Sequence, residues 1–339
     1  MSLFYQQPGL HYPEHPPVLP IPDPTKGRED SDEANDRANY MGLTLPALCR
    51  FWRILLGVTL AYHKREPHQH GPINSRTTPH FAELKYRELL SWAETLPVSM
   101  MRAQDSPHHV IVFQYVTNRV FSACQLGTCF FTMVHLLTAH GSIWFHAAVL
   151  DIFRPFIRRN AGETYALSTF YSKENNTPDA IHDASVNQLK QLVVFYRTNH
   201  ASSSYTLLWH SALIYVTNAV VQNTDDPAWR FYFLFCVYSY DALRSAYPLT
   251  DTINRALLSM TVRNGKLTGH EARAILASIS RTSQGTEDRE EGAEKTRATF
   301  MADLDLALTQ PNEARAEQLA QKFEELALFD EYTNLDAKS

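Results

Sequence analysis

The chain has 339 residues, 44% of them hydrophobic, and a formal net charge of −5. A folded chain of about 300 residues buries roughly three quarters of its surface, so a large core is possible without disulfide or metal staples. The mildly negative balance argues against direct binding of nucleic acid, which needs clustered Lys and Arg against phosphates. Only 12 residues are glycine, and the helix breakers concentrate towards the ends, which favours an all-α fold: a large multi-helix domain with a disordered N-terminal tail and a short helical C-terminal extension. The four cysteines, Cys49, Cys124, Cys129 and Cys236, are scattered among apolar residues. They read as reduced core thiols, consistent with a cytosolic or nuclear compartment. The start, MSLFYQQPGLHYPEHPP, has neither a basic region nor an apolar core, so it is no signal peptide.

Residues 1–40 read as a disordered tail, because closely spaced prolines and the charged run GREDSDEAND deny regular pairing and a core. Leu43 to Lys64 predicts a helix with Pro46 in its first turn and a stripe of Leu48, Trp52, Leu55 or Leu56 and Thr59. His68 and His70 sit in a proline-bounded loop and read as solvated, since a zinc site wants about four spaced ligands. Phe81 to Leu96 predicts a second helix with Leu84, Leu89, Trp92 and Leu96 inward. From Val120 to Leu150 there is no Asp, Glu, Lys or Arg. A membrane span needs about 20 mostly apolar residues, and here Gln125, His135, His140 and several threonines interrupt the run. No membrane association is expected.

In FHAAVLDIFRPFI (145–157), Phe145, Val149, Ile152 and Phe156 recur at helical spacing. Asp151 and Arg154 are three apart and can pair. Pro155 should end the helix near Arg154. Arg158 to Asn176 is polar and loop-like. Thr177-Pro178-Asp179 opens a helix with a cap, a first-turn proline and an acid at the positive end of the dipole; Leu189, Leu192, Val193 and Tyr196 form its buried stripe. Tyr205 to Gln222 is apolar nearly all round and predicts a core helix, with His210 as a core histidine. Asp226-Pro227 starts the next helix, whose aromatic run WRFYFLFCVYSY fills space; Arg244 closes it and Pro248 stops it. Asp251 to Val262 and His270 to Ile279 flank the turn RNGKLTG, and Thr268 with Glu271 has capping-box spacing. Residues 281–297 are a charged linker. A C-terminal extension over 298–332 follows, with Met301, Leu304 and Leu308 on one helical face. After Pro311-Asn312 comes one amphipathic helix bearing Ala316, Leu319, Phe323 and Leu326. Its end, FEELALFDEYTNLD, also has the composition of an activation segment that binds coactivators, but its regular stripe favours a helix docked on its own domain.

In order along the chain, FHAAVLDIFRPFI, DASVNQLKQLVVFYR (183–197), DDPAWRFYFLF (225–235), AWRFYFLFCVYSYDALRSAY (228–247) and ATFMADLDLAL (298–308) resemble the regulatory, or middle homology, region of fungal transcription factors that carry a binuclear zinc cluster. The resemblance covers roughly residues 41–330, judged on one sequence. It marks His109, Phe145, His146, Asp151, Phe153, Arg154, Pro155, Asp226, Pro227, Trp229 and Arg230 as signature positions of structural rather than catalytic kind. It implies a regulatory domain over 41–280, in the nucleus, acting on RNA polymerase II transcription. It also implies that HHVIVFQ (108–114) and IWFHAAVLDIFRPF (143–156) are halves of one helix. Ile111, Trp144, Phe145 and Val149 would then share a buried face, and 115–142 would be an insertion or a retained intron. Family members carry zinc in a separate N-terminal cluster; the C-x2-C-x6-C pattern is absent from this sequence. No cofactor is therefore expected in this chain. DNA would be reached only through a missing or separate cluster. The partners would be proteins, including homo- or heterodimers with related factors.

No catalytic signature is present: neither G-x-S-x-G, Walker A, G-x-G-x-x-G nor H-E-x-x-H occurs. Asp225-Asp226 reads as a cap rather than a carboxylate pair, and Cys124-x4-Cys129 lacks two further ligands. Two other classes stay open. One is a stand-alone helical interaction module that modulates related factors. The other is a helical enzyme with an aromatic pocket around Trp209, Trp229 and Tyr240.

Overall fold

A computed structural model of the protein describes residues 35–63, 77–96, 143–157, 165–167, 177–207, 209–282 and 300–336. Among these residues the architecture is all-α, with no strand; a single isolated antiparallel bridge pairs Met301 with Arg315. By internal contacts the chain divides into two compact units, and the division falls after Leu192, inside a helix. The histidine-bearing loop, the HHVIVFQ half (108–114) of the expected joined helix, the proposed insertion over 115–142 and residues 283–297 of the expected linker lie outside the described residues, while Arg281 and Thr282, the first two residues of that linker, end a helix instead.

The first unit is built on α1 (Asn35–His63), α2 (Pro79–Glu94) and α3 (Ile143–Phe153). α1 starts earlier than its sequence suggests and runs through Pro46, which sits inside the helix rather than in its first turn. Proline has no N–H, so the helix forgoes one bond there and continues on those around it. Its buried line is Ala47, Phe51, Ile54, Leu55, Val58 and Tyr62, with Thr59 beside it; Leu48 and Trp52 are only half-buried. The apolar face is thus turned about one residue from the predicted stripe. α2 is capped by Thr78, whose hydroxyl accepts from Phe81 N, with Pro79 at the first position. Leu89, Trp92 and Leu96 face inward as expected, but Leu84 is 44% exposed. Tyr86 takes the inward place, and two residues further along a helix is a rotation of about 200°.

α3 is buried along all eleven residues, not on one face. Its helix ends at Phe153 and tightens into a 3-10 turn over Arg154–Phe156, with Pro155 at the start of the turn. Two aromatic hydrogen bonds fasten the three helices. Trp92 Nε1 donates to Ala47 O at 2.9 Å, and Tyr62 OH donates to Ile152 O at 2.6 Å. Between them Phe51 packs against Trp52, Trp92 and Trp144 at ring separations of 5.0–6.2 Å.

α4 (Pro178–Asn199) begins as its sequence predicts, with Thr177 Oγ1 accepting from Ala180 N at 3.2 Å. Leu189, Leu192, Val193 and Tyr196 are all buried. The second unit continues from its last turns through a 3-10 turn (Ala201–Ser204) into α5 (His210–Gln222). α5 is buried on nearly every side but begins at His210, later than the apolar run implies; Tyr205 lies outside it and is 59% exposed. α6 (Trp229–Ala242) ends before Arg244, which instead pairs with Asp241 and Asp251 from the following turn.

α7 (Thr250–Arg263) and α8 (Gly269–Thr282) are joined through Gly265, whose φ of 65° suits glycine at a helix C-terminus. The capping box forms in both directions: Glu271 N donates to Thr268 Oγ1 at 3.2 Å and Thr268 N to Glu271 Oε2 at 3.0 Å. The C-terminal extension is helical but differently divided. α9 (Leu306–Thr309), α10 (Ala316–Gln321) and α11 (Phe323–Asp336) replace the two predicted helices. Met301 and Leu304 are buried in non-helical chain before α9. Residues 300–305 give up the helix because their backbone bonds go elsewhere: Ala302 N donates to Ala314 O, and Leu304 N to Asn218 Oδ1. α7 is the centre of the unit and packs on α6, α8, α10 and α11.

Gly269 sets the closest approach between α8 and α11. A Cβ there would lie against Ala327 O and within 2.8–2.9 Å of Ala327 C and Cα, so backbone would have to move. Gly269 N also donates to Asp330 Oδ2 at 2.7 Å. Gly269→Ala is therefore expected to destabilise by about 1–3 kcal/mol, in the range for overpacking. Hydrogen exchange should locate the loss in α11; unchanged protection there would contradict it.

Candidate functional site

The signature positions fall into two groups, one in each unit. In the first, α3 carries Phe145, His146, Asp151 and Phe153, and the 3-10 turn supplies Arg154 and Pro155. The predicted pair forms: Arg154 Nη2 lies 2.8 Å from Asp151 Oδ1, with both side chains at least 90% covered. Such burial makes the charges interdependent, because each loses water and keeps the other as compensation. Tyr62 is adjacent in the electrostatic sense. Burial pushes its hydroxyl pKa well up, Asp151 adds to the rise and Arg154 opposes it. The hydroxyl thus stays protonated and donates to Ile152 O. Phe145 and Phe153 are core side chains, the latter 5.3 Å from the Tyr86 ring. His109 lies outside the described residues.

His146 has no exposure, and among the described residues neither ring nitrogen has a hydrogen-bond partner. Burial alone lowers its pKa to about 3. A neutral imidazole is the form such a site tolerates.

The second group lies at the start of α6. Asp226 Oδ1 accepts from Ala228 N at 2.8 Å, and Asp226 O accepts from Trp229 N at 2.9 Å. The aspartate makes a turn ahead of the helix; the residue flanking the helix is Ala228, not Asp226. Asp and Asn make such turns because their side chains reach the backbone two residues on. Pro227 is exposed and Trp229 half-buried. Arg230 reaches Glu271 Oε1 at 2.9 Å, tying α6 to the first turn of α8. Glu271 has its pKa lowered, first by the Thr268 backbone N–H and then by Arg230.

The aromatic run of α6 fills the core with Phe233 and Tyr240, but Phe231 and Tyr238 stay 57% and 46% exposed. Of the three aromatics considered for a pocket, Trp209 and Tyr240 are wholly buried. Tyr240 OH lies 2.8 Å from His210 Nδ1, and the Phe300 ring packs edge-on to the imidazole at 4.7 Å. Burial lowers the His210 pKa to about 4 and raises that of Tyr240. His210 is thus the satisfied core histidine its helix suggested. Burial likewise pushes the Cys236 thiol up to about 12.

Among the described residues no group of three His, Cys, Asp or Glu could hold a metal ion, and no helix is long and apolar enough to cross a membrane. Sequence reasoning missed three residues that fix chain segments within the two units: Tyr62 in the first, Asn218 and Gly269 in the second. Asn218 holds the chain before α9 from both sides, donating to Ala302 O at 2.8 Å and accepting from Leu304 N at 2.9 Å. A single Asn in an apolar helix was the only available signal. Its partners, more than 80 residues away, carry none.

No family model matches the chain, and no curated protein and no solved structure matches it either.

Proposed function

We propose that the chain is the regulatory region of a fungal RNA polymerase II transcription factor of the binuclear zinc cluster class, working in the nucleus. The reading rests on the order of the sequence runs along the chain. It is supported by the first of them being a wholly buried helix closed by the Asp151–Arg154 pair and Pro155. Such a region acts without catalysis, by biasing a linked DNA-binding domain through contacts within the chain or with protein partners, including dimers with related factors. It needs no cofactor of its own; zinc would belong to the separate cluster. The same positions would then serve structure: the buried pair and the Arg230–Glu271 bridge hold helix ends rather than a substrate.

The exposed aromatic side chains Phe231 and Tyr238 favour a second reading, a stand-alone interaction module that pairs with related factors. The 5′ end of the transcript separates the two. An in-frame upstream exon with six cysteines beginning C-x2-C-x6-C is the expected result. A stop codon directly upstream in every transcript overturns the factor and leaves the module. Reads across the codons for 115–142 decide the insertion: if every transcript retains them, no intron was read through.

A further inference from the structure

Residues 300–336 lie on α5, α7 and α8 with a one-sided division of charge. The arginines belong to the helices and the acids to the C-terminal extension. Arg263 pairs with Asp303, Arg255 with Glu324 at 3.6 Å, and Arg273 with Glu324 at 3.4 Å and Glu331 at 2.9 Å. Arg255 also keeps Asp251 of its own helix at 3.0 Å. Two directed contacts add to these: Asn218 with Ala302 and Leu304, and Gly269 N with Asp330.

The apolar hold is thinner. Between 300 and 332 the large buried apolar side chains are Met301, Leu304, Leu319 and Phe323. The rest of the seam is small. Ala302 and Ala316 cluster with Ala256, and Ala327 lies on Gly269. An alanine buries a single methyl group, so each adds little. By contrast α5 buries Leu213, Ile214, Tyr215, Val216, Val220 and Val221 within 13 residues. Segments with few buried apolar contacts open at a lower free energy than the core they rest on. Salt also reaches the clasp, because Glu324 is 58% exposed and Arg255 and Arg273 are 37% and 32% exposed.

We propose that residues 300–336 form a salt-sensitive strap. It opens as one piece while α5, α7 and α8 stay folded, and opening uncovers the face that carries Arg255, Arg263 and Arg273. The strap rests on the packing of the second unit alone, so it stands or fails independently of the transcription-factor reading.

Hydrogen exchange of the full chain, read by mass spectrometry on peptides at roughly 0.05 M and 0.5 M sodium chloride, tests this. Peptides covering 300–327 should exchange together, at least about tenfold faster than those of α5 and α7. The higher salt should speed them a further roughly threefold to tenfold and leave α5 unchanged. Arg255→Gln with Arg273→Gln should raise their low-salt rate by a similar factor and remove most of the salt response. Glu88→Gln, which breaks the Lys85–Glu88 pair on α2, should alter neither. Exchange of 300–327 at the rate of α5 and α7 overturns the proposal, because the extension would then be part of one cooperative core. A salt response that is absent, or equal in all the helices, overturns it as well.

Discussion

Asp151→Ala is expected to lower the unfolding free energy of the chain by about 3–5 kcal/mol, the range for breaking a buried ion pair on one side. Arg154 would keep its charge with its side chain only 8% exposed and its 2.8 Å partner gone. The Coulombic attraction lost is only part of the cost; the larger part is a buried guanidinium that has lost the carboxylate beside it. The double replacement Asp151→Leu with Arg154→Met removes both charges at similar volume. It is expected to recover at least roughly half of the loss, since buried pairs often do no better than apolar residues. Urea unfolding of the parent, Asp151→Leu, Arg154→Met and the double variant closes the cycle. A single-variant cost under about 1 kcal/mol would mean that the pair is effectively solvated.

Acid should unfold the protein earlier than its carboxylates require. His146 and His210 have pKa values of about 3 and about 4 in the folded chain against 6.5 outside it. The folded state therefore binds fewer protons than the unfolded state below pH 6.5. Stability is fully present above that value and falls as pH drops towards the folded pKa values. At about pH 5 each histidine withdraws about 2 kcal/mol, roughly 1.36 kcal/mol for each unit below its unfolded pKa. The two differ in what they lose. His210 has Tyr240 as a partner; His146 has none at either nitrogen among the described residues. His146→Leu should therefore match or exceed the parent near neutral pH, because it removes an unsatisfied buried polar group. It should also flatten the stability profile between about pH 6.5 and pH 4, where one of the two buried imidazoles no longer titrates. Denaturant unfolding across that range gives the answer. An equally steep profile in the variant would show that His146 finds water or a partner when protonated.

The resemblance and the fold class stand on different ground. The helical character follows from local terms: scarce glycine, caps such as Thr177 and Thr268, and apolar residues at helical spacing. Each acts within one turn, so each was readable, and each capping bond forms. The Asp151–Arg154 pair was readable for the same reason, as was the burial of Leu189, Leu192, Val193 and Tyr196.

Other features depended on neighbours that no local window contains. Leu84 and Tyr86 are equally good core residues by composition, and the choice between them was made by the side of α2 that meets Phe153. Residues 300–305 have helical spacing, yet Asn218 and Ala314 offer their backbone groups partners, so a non-helical bend and turn win over a helix. Gly269 looked like the end of a turn until α11 came to rest on it. α11 itself shows why periodicity alone is a weak guide. Its apolar residues are spread round the helix, and only the packing of Phe323 and Ala327 decides which side is core. The sequence by itself determined where helices could start, stop and pair within a turn or two, because those energies are local. The tertiary structure decided which faces are buried and which polar groups find partners, because those energies belong to pairs of residues far apart in the chain.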